Sequence, residues 1–287
     1  MTTEPTIPIS EFEVFAEGLD HSEGLAFDAD HNLWAGGESG QLYRIDRAGK
    51  VDEVVRLGGF CLGLTFSREQ DLWVCNSGLH ALQQADRSGR VIRSWNRVGD
   101  RRLETPNFSV FDQEGNLYFS DSGTWGMENG CIYRLRASGV AEYFSGPYAF
   151  PNGLALSEDE RFLYIAQSLE DNVVQLSILP DGQAGQPEVY AEELNHVPDG
   201  LAFDMEGNLH VTCYATHNLY RISPARKVSL LAFDPQGTML AAPTNLAFGS
   251  AGSHELYIAN LGRWHICRTR INATGQRLAG QSTNMHR

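Results

Sequence analysis

Apolar and polar residues alternate with period two in short runs that return at a fixed spacing along the chain. The first run of each set is Gly24-Leu-Ala-Phe-Asp28, then Gly63-Leu-Thr-Phe-Ser67, Phe108-Ser-Val-Phe-Asp112, Gly153-Leu-Ala-Leu-Ser157, Gly200-Leu-Ala-Phe-Asp204 and Asn245-Leu-Ala-Phe-Gly249. The steps between their first residues are 39, 45, 45, 47 and 45. A second run follows each after a polar turn, as in Asn32-Leu-Trp-Ala, Asp71-Leu-Trp-Val and Asn116-Leu-Tyr-Phe. Third runs such as Gln41-Leu-Tyr-Arg-Ile45 come next, then more polar fourth runs at 51–57, 91–97, 140–145, 188–194 and 227–233. Such alternation, bounded by Asp, Asn and Gly, marks half-buried strands joined by tight hairpins. Six such units predict an all-β chain, a six-bladed β-propeller with four-stranded antiparallel blades.

The sixth unit stops after its third run, near 266–271, and Glu11-Phe-Glu-Val-Phe15 precedes the first unit. That N-terminal strand is expected to complete the last blade, which removes the exposed edges of an open ring. The expectation is one domain over 1–287, with flexible ends at 1–10 and 273–287.

Charge narrows the partners. Twenty-two basic against 36 acidic residues give a net charge of −14. That field repels phosphate backbones and acidic lipid, so neither nucleic acid nor a membrane surface is expected as a partner. No run of about 18 apolar residues is present, and the N-terminus lacks the basic and apolar regions of a secretory signal, so a cytoplasmic protein is expected. The 5 cysteines are an odd number without a Cys-x-x-Cys pair, which reads as reduced interior thiols.

The residue just before each first run occupies one register position in all blades: Glu23, Leu62, Asn107, Asn152, Asp199 and Thr244. Two carboxylates and two carboxamides converging on one axis call for a positive charge. One divalent cation matches the two carboxylates, and an all-oxygen set suits Ca²⁺, Mg²⁺ or Mn²⁺. Pro-Asn-Gly (151–153) and Pro-Asp-Gly (198–200) are also ordinary turn tripeptides. Two carboxylates and two carboxamides in strict register favour the metal. Gly-x-Ser-x-Gly, His-Glu-x-x-His and Walker A patterns are missing, so a serine nucleophile, a zincin site and nucleotide chemistry lack support.

Glu23 in Ser-Glu-Gly-Leu-Ala, Asn107 in Thr-Pro-Asn, Asn152 in Phe-Pro-Asn-Gly-Leu-Ala and Asp199 in Val-Pro-Asp-Gly-Leu-Ala resemble the gluconolactonase, senescence-marker-protein and luciferin-regenerating-enzyme family. The resemblance implies a metal-dependent hydrolase that opens a small-molecule lactone around one divalent cation (Ca²⁺, Zn²⁺, Mn²⁺ or Mg²⁺). It implies Glu23, Asn152 and Asp199 as metal ligands, Asn107 beside the metal toward water or substrate, and Asp199 as general base. The sugar-acid lactonases of the family carry an Arg two residues before the channel Asn; Thr105 stands there, which points away from an anionic or heavily hydroxylated lactone. Other functions for such a ring are a non-catalytic propeller that binds a small molecule or a protein, and a strictosidine-synthase-like or paraoxonase-like enzyme.

Around the substrate, Asp121 in Ser-Asp-Ser-Gly either orients a ligand or binds substrate hydroxyls, or else caps a turn. Phe108 and Trp125 are expected in an apolar pocket wall. His196, three residues before Asp199, is a further candidate for contact with substrate or a proton relay.

Overall fold

The computed structural model describes residues 4–192, 194–249 and 252–281. Among the described residues the strands form six four-stranded antiparallel sheets and one two-stranded hairpin, Arg97–Val98 with Arg101–Arg102. Each sheet is a blade. The inner strands are Leu25–Phe27, Cys61–Phe66, Pro106–Phe111, Pro151–Leu156, Pro198–Phe203 and Pro243–Phe248. Neighbouring inner strands touch all the way round, the first against the sixth included, and enclose a channel. The architecture is a six-bladed β-propeller.

The turns explain the repeat. In blade one the Asp28 carboxylate accepts the backbone N–H of Asp30 and of Asn32, both at 2.9 Å, and the Trp34 indole N–H at 2.9 Å. In blade five Asp204 caps the same turn and takes His210 Nε2 at 2.9 Å. The apolar faces pack between blades. One cluster joins Tyr164 and Val173 of blade four to Leu201 and Val211 of blade five, for example. Four of the six blades carry a glycine just after the channel residue, where neighbouring blades meet backbone to backbone. A Cβ on Gly153 would lie 2.2 Å from the Asp199 carbonyl oxygen, and one on Gly24 2.1 Å from that of Leu62.

Blade six consists of Pro243–Phe248, Glu255–Asn260, His265–Arg270 and the N-terminal strand Glu13–Glu17, which pairs Glu13 with Arg268 and Glu17 with His265. The closure is as expected, but the strand begins two residues later than Glu11. Residues Ile9–Glu11 make a 3₁₀ turn that sends Phe12 into the apolar cluster of Leu246, Phe248 and Leu256.

Both ends of the chain, expected to be flexible, are tied down over the described residues. Ile7 N donates to Leu231 O at 2.7 Å. At the other end, Met205 N donates to Thr274 O at 2.8 Å, Gln276 N to Phe203 O at 2.9 Å, and Gln70 Nε2 to Gly280 O at 2.6 Å. The segment 274–280 thus straps across one end of the channel, over a cavity of about 90 Å³ lined by Phe27, Phe66, Leu156, Phe203 and Phe248. Those hydrogen bonds, with the burial of Ala279, hold it. Residues 1–3 and 282–287 lie outside the described residues. Among the described residues no helix is long and apolar enough to cross a membrane.

Candidate functional site

The other end of the channel is polar. Pro151 and Pro198, read from sequence as possible turn residues, lie in strands, paired with Gln167 and Cys213. The pairing register then slips between Pro151 and Leu154, between Pro198 and Leu201, and between Pro106 and Ser109. Each slip is a bulge that spans the candidate residue, and a bulge re-aims a side chain that a regular strand would send between blades. Asn107, Asn152 and Asp199 all sit in such bulges, and Glu23 lies two residues before its strand.

Glu23, Asn107, Asn152 and Asp199 are all buried. Burial pushes the Glu23 carboxyl from its ordinary 4.5 up to about 7. Asp199 is held well above the usual carboxylate range, first by burial and then by the charge of Glu23, against a hydrogen bond from the Asn152 side chain. Glu23, Asn152 and Asp199 are therefore brought together. Among the described residues no Arg, Lys or His pairs with either carboxylate. Asn107 Oδ1 and Asn152 Oδ1 are buried without a hydrogen-bond partner. Two carboxylates that repel and amide oxygens left unpaired are a donor set that fits a hard cation.

The remaining candidates stand further out. Asp121 accepts the backbone N–H groups of Glu104 (2.9 Å), Thr105 (2.6 Å) and Gly123 (3.3 Å). Burial raises its pKa, while those three donors pull it down. It ties the loop entering the inner strand, the cap reading rather than a ligand-orienting one. Gln167 and Asn260 do the same in blades four and six, accepting Ala149 N at 3.2 Å and Ala241 N at 2.8 Å. The Thr105 hydroxyl donates to Gly123 O at 2.8 Å. Phe108 packs against the cluster of Val110 and Leu154 and lines the apolar cavity of the strapped end, rather than a wall beside the acid pair. Trp125 is 57 % exposed, edge-on to Phe150 with ring centroids 4.7 Å apart. The His196 side chain is 68 % exposed and pairs with Asp171 at 3.2 Å. All 5 cysteines are free and buried.

Sequence reasoning missed two residues here. Ser122 and Ser168 lie one position beyond the second strands of blades three and four, against Asn107 (3.0 Å) and Asn152 (3.3 Å). The signal was present: among these six equivalent positions, a serine stands in both blades whose channel residue is an Asn, Asn107 and Asn152.

A family model described as the SMP-30/gluconolactonase/LRE-like region matches residues 59–261. A gluconolactonase of Zymomonas mobilis is 27 % identical over 66 % of this chain, and the chain spans 58 % of that protein's length. A 6-deoxy-6-sulfogluconolactonase of Pseudomonas putida is 28 % identical over 79 % of this chain and 78 % of its own. Among solved structures, a calcium-binding protein, regucalcin, from Agrobacterium tumefaciens superposes with a TM-score of 0.80 at 17 % identity, covering 96 % of this chain and 98 % of its own.

Proposed function

The chain belongs to the SMP-30/gluconolactonase/LRE-like family, and from that premise we propose that it is a divalent-metal-dependent lactonase that hydrolyses a small cyclic ester at the polar end of its channel. The observation that carries the reading is the pair of buried carboxylates, Glu23 and Asp199, paired with no cationic side chain among the described residues, together with the unpartnered amide oxygens of Asn152, whose side chain bonds Asp199, and of Asn107, at the same register position in the neighbouring blade. Relatives named as gluconolactonase and 6-deoxy-6-sulfogluconolactonase support lactone hydrolysis, and a neighbour named as calcium-binding supports a cation.

Glu23, Asn152 and Asp199 hold the cation, and Asn107 lies toward water or substrate. When bound, the cation supplies Lewis-acid polarisation of the ester carbonyl. Asp199 acts as general base: its carboxylate takes a proton from the attacking water as the water oxygen bonds to the carbonyl carbon. The ring C–O bond then breaks, and the same proton passes from Asp199 to the leaving alkoxide, giving the open hydroxy acid. Thr105, at the position where sugar-acid lactonases of the family carry Arg, favours a substrate less polar than a sugar-acid lactone.

The test is a panel of γ- and δ-lactones, sugar-derived and alkyl-substituted, offered to chelator-stripped protein before and after one divalent ion is restored. Hydrolysis that returns with the ion is expected, with alkyl-substituted lactones preferred. Full activity in the stripped protein, or no hydrolysis of any lactone with metal bound, would refute the proposal.

A further inference from the structure

Ser122 and Ser168 are almost fully buried, at 0 % and 1 % exposure. Each hydroxyl donates its one proton to a backbone carbonyl of the next blade: Ser122 to Pro151 O at 2.7 Å and Ser168 to Pro198 O at 2.8 Å. A carbonyl oxygen can only accept, so that proton is committed and the serine oxygen has only acceptor capacity left. The neighbouring amides must then present their donor end to it. Asn107 Nδ2 lies 3.0 Å from Ser122 Oγ, and Asn152 Nδ2 lies 3.3 Å from Ser168 Oγ. Both Oδ1 atoms are thereby turned away from the blade and left without a partner.

The same position in the other blades supports this. An amide has one acceptor end and needs orienting, whereas a carboxylate offers an oxygen either way round. The carboxylate blades, with Glu23 and Asp199, carry Gly37 and Tyr214 there, and blade six, with Thr244, carries Leu261. Blade two has Ser77, but its channel residue is Leu62, and the hydroxyl sits 3.4 Å from Phe60 O of its own blade.

Resting on the metal reading above, we infer that Ser122 and Ser168 are positioning residues that lock the amide oxygens of Asn107 and Asn152 toward a cation in the channel. They touch neither cation nor substrate. They act by fixing which end of each amide faces the axis, and by bolting blade three to blade four and blade four to blade five.

The experiment titrates chelator-stripped protein with Ca²⁺, Mn²⁺ and Zn²⁺ separately, read by calorimetry and melting temperature without substrate. Ser122→Ala and Ser168→Ala are each expected to weaken binding about 10–100-fold, the usual effect of losing a group that orients a ligand. Asn152→Asp placed in the Ser168→Ala background is expected to recover most of that loss, and to gain more than the same change in wild type. Wild-type affinity in both serine variants, or an equal gain from Asn152→Asp in both backgrounds, would overturn the inference and leave the metal site standing. A wild-type protein that takes none of the three ions would remove the metal reading and this inference together. If Ser168→Ala does not fold, Ser122→Ala with Asn107→Asp runs the same cycle in the neighbouring blade.

Discussion

The two ends of the channel are built by the same six inner strands and have opposite chemistry. At one end the strands bring together Glu23, Asn107, Asn152 and Asp199, buried polar groups whose internal partners do not suffice. Four residues further along each strand stand Phe27, Phe66, Phe111, Leu156, Phe203 and Phe248, and the chain itself covers them with 274–280. One end is left destabilised by like charge, the other is sealed by apolar burial. Ring symmetry supplies six equivalent places at each depth. The side chain at each depth, and the bulge that aims it, decides whether the place is a site or a plug. The stability of the ring is thus drawn from the sealed end and the blade seams, while the polar end carries a cost that a cation would relieve.

The sharpest way to break this contrast is to remove the base while keeping an oxygen at its place. Asp199→Asn is expected to lower kcat about 10²–10⁴-fold, the usual contribution of general acid–base catalysis. Metal content must be measured on the same sample, since the change also removes a charge from the site. Normal turnover at full occupancy would place the base elsewhere.

The cost of the acid pair is visible in pH. Below pH 4.5 the folded and unfolded chains both keep the Glu23 proton; between 4.5 and about 7 the unfolded chain releases it and the folded chain holds it. Metal-free protein therefore loses stability as pH rises through that window, by about 3 kcal/mol once above it. Asp199, also raised, adds in the same direction. With saturating Ca²⁺ the trend should reverse, because the cation binds the ionised carboxylates. Melting curves at pH 5 and 8 with chelator and with Ca²⁺ check both signs, and a flat metal-free profile would argue against a strained pair. At pH 8, Ca²⁺ at one hundred times its dissociation constant should stabilise wild type by about 2.7 kcal/mol. In Glu23→Gln most of that gain should vanish.

How much of the two ends was legible in the sequence follows from what leaves a pattern. The blades were legible because each inner strand must bury alternate residues, and six repeats make the period plain. The outer strand of blade four, expected at 188–194, runs instead over Ala184–Ala191, directly after the turn at Gly182. Its first residues, Ala184-Gly185-Gln186-Pro187, show no apolar–polar alternation, so nothing marked them. Glu23, Asn107, Asn152 and Asp199 were legible by register alone. The bulges that aim three of them were not, since a bulge adds a residue without a composition of its own. Asp121 looked like chemistry and proved to hold a loop, because a carboxylate that accepts backbone N–H groups is spelled the same as one that binds substrate. The strap was not legible: its hold on the channel is backbone hydrogen bonding and a few small side chains, with no period to read.

The strap offers the finest test of whether the ends are independent. Truncation after Ile271 removes the hydrogen bonds from Met205 and Gln70 to residues 274 and 280, and uncovers the rings of Phe66, Phe203 and Phe248. Most of those rings also pack between blades, so only part of their surface is newly wetted. The expected loss is about 1–2 kcal/mol, roughly that of exposing one large apolar side chain. The bare end should also bind a dye that reports exposed apolar surface. The acid pair and the strap lie at opposite ends of the inner strands. Separate sites of this kind add without coupling, so Ca²⁺ affinity and the pH profile of the metal-free protein should stay at wild-type values. If truncation moved the cation affinity more than about threefold, the inner strands would be transmitting strain from one end to the other, and the two ends would have to be read as one device.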